Sequence, residues 1–219
     1  MRPRARLFGI ALALLAVWAA VPASAQPPRP LVLVLGDSVT AGYGLPAERA
    51  FPAVLQGLLA GAGHPSEVVN AGLSGDTTAG GLARLPDLYP PQASRAPDLL
   101  IVELGANDAI QRLALERVEA NLDSVLVFAR KRGSRILLTG IGAGIKRTDA
   151  YRTAFEGIYR RLAEKHGVAY YPRIGDGVRG DPRYVQADGA HPNAEGARII
   201  ADRLLPFVLR LLQDEQPVR

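Results

Sequence analysis

Leu31 to Leu35 is an unbroken apolar run, and it limits the possible folds more than any other stretch of the chain. A strand with one wet face alternates apolar and polar residues, whereas a strand apolar at every position must be covered on both faces. Similar runs recur at Glu67–Asn70, Leu99–Glu103, Arg135–Thr139 and Val168–Tyr171. Between them lie segments with helical spacing: Pro52–Ala62, Thr77–Leu88, Glu116–Arg132 and Thr153–His166, with a last one from Asn193 to Leu212. In Glu116–Arg132 the apolar residues Val118, Leu122, Val125 and Leu126 fall three or four apart, as on one helix face. Pro52 suits a first helical turn, Gly167 a helix end, and Pro206 is a place for the last helix to bend. Buried strands alternating with helices predict a flavodoxin-like three-layer α/β/α sandwich on a five-stranded parallel sheet. Ligands of such sheets lie beyond the carboxyl ends of the strands. Three polar motifs fall there: Gly36-Asp37-Ser38, Ala71–Thr78 and Gly105–Asp108.

The first 25 residues stand apart from this domain. Arg2, Arg4 and Arg6 precede an apolar run from Leu7 to Ala20, and Val21–Ala25 supplies a small-residue cleavage pattern. That is the layout of a secretory signal peptide, and it predicts a periplasmic or secreted protein. The alternative is an uncleaved membrane anchor, for which the run falls short of the ~20 residues a spanning helix needs. The expected organisation is a signal at 1–25, a Pro-rich leader at 26–30 and one α/β domain at 31–214. The 219-residue chain carries a formal charge of +5 from 26 basic and 21 acidic residues. The signal holds three of the Arg and no acid, which leaves 23 basic against 21 acidic side chains in the mature chain. Arg130–Arg132 and Arg160-Arg161 read as solvated helix faces, so no nucleic-acid partner is expected. Nor is a stable membrane anchor expected once the signal is cleaved.

The chain contains no Cys, which excludes disulfides, thiolate metal sites and cysteine nucleophiles. Its three histidines, His64, His166 and His191, show no zincin-like spacing, so neither a metal nor a cofactor is expected. His64 reads as a surface-loop residue and His166 as a helix-end residue favoured by the dipole.

One nucleophilic set remains. Ser38 sits at a tight strand-to-helix turn with Gly36 before it and Gly42 and Gly44 after it. The elbow G-x-S-x-G is absent, because Thr40 occupies its last position. Asp188-Gly-Ala-His191 offers an acid and an imidazole spaced so that one ring nitrogen can bond Asp188 while the other faces Ser38. Taken alone, this spacing suits a capping Asp beside a surface His equally well.

Gly36–Val39, Asn70–Thr78, Leu104–Asp108 and Asp188–Asn193 together resemble the four ordered blocks of the GDSL, or SGNH, hydrolases, and most of all the bacterial multifunctional thioesterase/lysophospholipase/arylesterase branch. The resemblance spans Leu31 to about Leu205. It implies that Ser38 is the nucleophile, that His191 is the general base and that Asp188 orients it. It also implies an oxyanion hole made by the Ser38 and Gly75 backbone N–H groups and the Asn107 side-chain amide. The substrate implied is a small-molecule acyl ester or thioester. Asp37 reads as a cap or brace of the turn, and Asp76 and Asp108 as structural hydrogen-bonders; Gly75 and Asn107 are also residues that turns use for their own sake. Two departures are visible. Ala106 and Ala109 stand where relatives often carry glycine, and Gly140–Arg147 replaces the loop that lines the acyl pocket with a more flexible and basic one. A deacetylase of envelope polysaccharide would share all four blocks, and a non-catalytic periplasmic binding protein could share the fold.

Overall fold

The structure is a computed structural model, and it describes residues 28–89, 96–142 and 148–214. Five strands form one all-parallel sheet: β1 (Leu31–Gly36), β2 (Glu67–Gly72), β3 (Leu99–Glu103), β4 (Arg135–Thr139) and β5 (Ala169–Tyr171), in the order β2-β1-β3-β4-β5. The described helices are α1 (Ser38–Ala41), α2 (Phe51–Gly61), α3 (Thr78–Leu88), α4 (Ala106–Gln111), α5 (Leu115–Lys131), α6 (Asp149–His166) and α7 (Ala194–Gln213). On one side α2 packs on α7, and on the other α5 lies between α3 and α6. The result is the predicted three-layer sandwich.

The apolar runs become the centre because it is the only place where both of their faces are covered. Val32, Val34, Leu35, Leu99 to Val102 and Leu137-Leu138 are fully buried. Burying a Val, Leu or Ile side chain contributes about 1.5–3 kcal/mol, which suits a chain that has no disulfide to lean on. The five helix-spaced segments appear within a few residues of their expected ends. The largest shift is α6, which begins at Asp149 rather than Thr153 because Thr148 caps it, its side chain accepting from Tyr151 N–H. The last helix runs on through Pro206.

Two expectations need correction. β2 was expected to be buried on both faces, yet five of its six residues are half-buried or exposed, only Ala71 being buried, and Val69 is 36% exposed. As an edge strand it pairs only with β1, which leaves one flank without cover. Ser38, read at a turn, and Asn107, a residue type that turns use, each fall within a short helix, α1 and α4. Of the expectations for the termini and the basic loop, residues 1–27 and 143–147 lie outside the described residues. No helix of the described residues is long and apolar enough to cross a membrane.

Candidate active site

In a sheet of this order the chain leaves β1 towards β2 on one side and crosses back to β3 on the other. A crevice opens where the direction changes, beyond the carboxyl ends of β1 and β3. Ser38 is placed there by Asp37, whose carboxylate Oδ1 accepts from Val39 N–H at 3.0 Å and so caps α1. Packing beneath the turn is close: a Cβ on Gly36 would collide with the Thr40 side chain, and Thr40 Oγ1 donates to Glu103 Oε2 at 2.7 Å. The nucleophile candidate thus stands on a buried polar layer. Asp37, Thr40 and Glu103 are each at most 1% exposed.

The other half arrives from 153 positions downstream. His191 Nε2 lies 2.9 Å from Ser38 Oγ, and His191 Nδ1 lies 2.6 Å from Asp188 Oδ2. The second Asp188 oxygen accepts from the backbone N–H groups of Ala190 and His191 at 2.9 and 3.0 Å. The Ala190 N–H foremost, with the His191 side chain and N–H, holds the Asp188 carboxyl down to about 2. Asp188 is therefore anionic at neutral pH. Asn193 ends the loop by capping α7, its side chain accepting from Glu195 and Gly196 N–H at 3.0 Å each.

Two contacts hold this loop against the β1 turn, through Tyr43, and two more close the loop on itself. Gln186 Nε2 donates to Tyr43 O at 2.6 Å and to Pro192 O at 2.9 Å. The Tyr43 ring lies over His191 with centroids 4.6 Å apart. A single antiparallel bridge joins Val185 to Pro192.

Asn107 ties the remaining blocks together. Its Nδ2 donates to Asp76 O at 2.8 Å and to Asp37 Oδ2 at 3.3 Å, so one amide joins the neighbour of Gly75 to the neighbour of Ser38. Gly75 has φ +83°, a conformation side chains resist, and a Cβ there would meet nothing within 4 Å. Its identity is required by the backbone rather than by crowding from the protein. Asp76 accepts from Arg84 Nε at 2.8 Å, and Asp108 accepts from Thr78 N–H and Oγ1 at 2.9 and 2.6 Å; both brace the entry to α3. His64 and His166 lie elsewhere, bonded to Gln213 and to Asp123 at 2.9 and 2.6 Å.

Glu103, Thr40, Tyr43 and Gln186 are contributors that the sequence reading missed. Desolvation pushes the Glu103 carboxyl well above the usual range, with the Asp37 charge adding to it. The Asp37 carboxyl is raised for the same first reason. An acid closing an otherwise apolar buried strand is the signal that could have found Glu103. Tyr43 and Gln186 carry no comparable mark.

A hydroxyl, an imidazole and a carboxylate in one hydrogen-bonded line at the carboxyl edge of a parallel sheet are the constellation of the serine hydrolases. Residues 34–199 match the model of the GDSL-like Lipase/Acylhydrolase family. Esterase TesA of Pseudomonas aeruginosa is 38% identical over 181 residues, which are 83% of this chain and 89% of its own. Thioesterase 1/protease 1/lysophospholipase L1 of Escherichia coli K12 is 36% identical over 171 residues, 78% of this chain and 79% of its own. A Vibrio mimicus arylesterase is 35% identical over 171 residues, 78% and 84% of the two chains. Among solved structures, that of TesA superposes with a TM-score of 0.78 at 38% identity, covering 83% of this chain and 99% of its own. The SGNH-hydrolase esterase AlinE4 follows with 0.70 at 34%, covering 86% and 99%. The chain belongs to the GDSL-like lipase/acylhydrolase family and is a serine hydrolase of ester bonds.

Proposed function

We propose that this protein is an exported esterase that cleaves carboxylic esters or thioesters through an acyl-serine intermediate, with Ser38, His191 and Asp188 as its catalytic residues. The observation that carries this reading is the 2.9 Å contact between Ser38 Oγ and His191 Nε2, continued at 2.6 Å to Asp188. The geometry supports the following course. Ser38 Oγ attacks the substrate carbonyl carbon while its proton passes to His191 Nε2. The carbonyl π pair moves to oxygen, and the Ser38 and Gly75 N–H groups with Asn107 Nδ2 receive that oxyanion. The longer of the two Asn107 bonds, at 3.3 Å to Asp37, is the one a substrate oxygen replaces. Collapse breaks the C–O or C–S bond, and the imidazolium returns the proton to the leaving alkoxide or thiolate. Water then repeats the sequence on the acyl-serine, releasing the acid and restoring Ser38. Asp188 stays anionic throughout and stabilises the imidazolium that forms twice per cycle.

The names of the relatives support short-chain acyl and aryl esters as first substrates, with acyl thioesters and lysophospholipids as further ones. The test is hydrolysis of p-nitrophenyl acetate and butyrate by the mature chain and by Ser38→Ala at equal folding. Turnover should fall by about 10³-fold or more, and fluorophosphonate labelling should vanish with it. Equal rates in the two proteins would remove Ser38 from the mechanism. Export is read from the N-terminus of the secreted product, expected at Gln26.

A further inference from the structure

Beside Ser38 a cavity of about 540 Å³ opens on the β4–β5 side of the crevice, within the size range of small-molecule sites. Val39, Ala190 and Pro192, the immediate neighbours of Ser38 and His191, form part of its wall. Ile141, Ile174 and Ile200, all at least 94% buried, supply apolar surface. The same cavity is also lined by Arg152, Arg173 and Arg179, together with Glu156, Asp176 and the buried Glu103. A pocket for a plain alkyl chain needs no such charges, and a methyl end laid against them would strip water from guanidinium groups without replacing it.

The three guanidinium groups are unequally paired. Glu156 and Asp176 lean loosely on the same cation: Arg173 lies 3.8 Å from Glu156 and 3.7 Å from Asp176. Arg152 pairs with Asp149 one turn away on α6. Arg179 has no carboxylate within ion-pair reach among the described residues; Nη1 donates to Gly142 O at 3.0 Å, and the rest of its planar fork is left for an occupant. Such a fork matches a carboxylate in two places at once.

The geometry points to this cavity as an anion subsite: the preferred substrate is an ester or thioester carrying a carboxylate a few carbons from the scissile carbonyl, its methylenes on the isoleucine wall and its charged end on Arg179. The proposal rests on the esterase reading above and narrows its substrate class. A carboxylate on the acyl part and one on the alcohol part share this chemistry, and the experiment separates them.

Binding is read first, without turnover. The full mature chain carrying Ser38→Ala is titrated calorimetrically with monomethyl glutarate and with its neutral isostere, methyl glutaramate. The alcohol-side pair is 4-acetoxybutyrate and 4-acetoxybutanamide. The charged member of one pair should bind about tenfold tighter than its amide, near the low end for a charge-assisted hydrogen bond because the rim is open to water. The pair that shows the preference identifies which end enters the cavity. Adding Arg179→Gln should bring the ratio to about one, and Arg179→Lys should restore part of it. Because the readout is a ratio within one protein, a general loss of affinity does not mimic the result. Equal binding of both members in both pairs overturns the proposal, as does a preference that survives Arg179→Gln. Wild-type turnover is then measured on the same four esters. Intact preference in binding with no turnover of any ester would sink the esterase reading and leave the anion subsite standing.

Discussion

The two halves of the site are built in opposite ways. The Ser38 half rests mostly on buried side chains that are far apart in sequence: Thr40 to Glu103 spans 63 positions, and the half-buried Asn107 to the buried Asp37 spans 70. The His191 half is local and wet. Asp188 reaches only Ala190 and His191, two and three residues on, and the side chains of His191 and Asp188 are 25% and 39% exposed. The difference teaches a division of labour. In the proposed mechanism the half that holds nucleophile and oxyanion donors in fixed relation is tied into the core, where reorganisation is costly. The half proposed to accept a proton and return it sits on a loop open to solvent, located by a few contacts.

The comparison breaks most visibly at Asp188. Replacing it by Asn keeps the shape of the loop but removes the charge that faces the imidazolium. The expected result is a loss of about 10³–10⁴ in kcat, with an unchanged thermal midpoint, because the group is 39% exposed and its bonds stay within the loop. Calorimetry and ester turnover on one preparation check both halves of the statement. A large drop in midpoint would show that the loop belongs to the core after all.

Glu103 should behave in the reverse sense. Glu103→Ala leaves Thr40 without its acceptor and opens a polar void, at a cost of about 2–4 kcal/mol in denaturant unfolding. Glu103→Gln keeps the shape and neutrality and tests the charge. Desolvation holds the folded carboxyl well above its ordinary 4.5, so over the intervening range the native state keeps a proton that the unfolded chain has lost. Wild-type stability, relative to Glu103→Gln, should therefore be highest below about 4.5 and fall as pH rises towards the raised value. The slope approaches about 1.4 kcal/mol per pH unit. Parallel stability–pH curves for the two proteins would mean that Glu103 is buried as an anion.

The contrast also explains what the sequence alone made legible. Leu31–Leu35 and Leu99–Glu103 revealed central strands because every residue is apolar up to the acid. The Asp188–His191 spacing was readable because its bonds are local. Glu103 was not, since its burial depends on partners in another block and a strand-end acid usually turns to water. α1 and α4, with four and six residues, are too short to display helical periodicity. The edge position of β2 was hidden for a similar reason: an apolar run records a demand for cover, not whether the sheet supplies it.

The finest probe of the comparison is Gln186. It belongs to the exposed half, yet it is the side chain that bonds the histidine loop to the β1 turn, through Tyr43 O, and closes that loop through Pro192 O. If the base is located by a few such contacts, Gln186→Ala should let His191 wander from Ser38 while Asp188, bonded within the loop, travels with it. Misplacement by about 1 Å can cost up to about 10² in rate. With Tyr43 still lying over the imidazole, about tenfold in kcat is expected, at an unchanged midpoint and with little change in KM. The same replacement made in Ser38→Ala should leave ester binding unaltered, because Gln186 does not line the cavity. An equal rise in KM would shift the role of Gln186 from placing the base to shaping the substrate pocket, and the two halves would then be less separate than their bonding suggests.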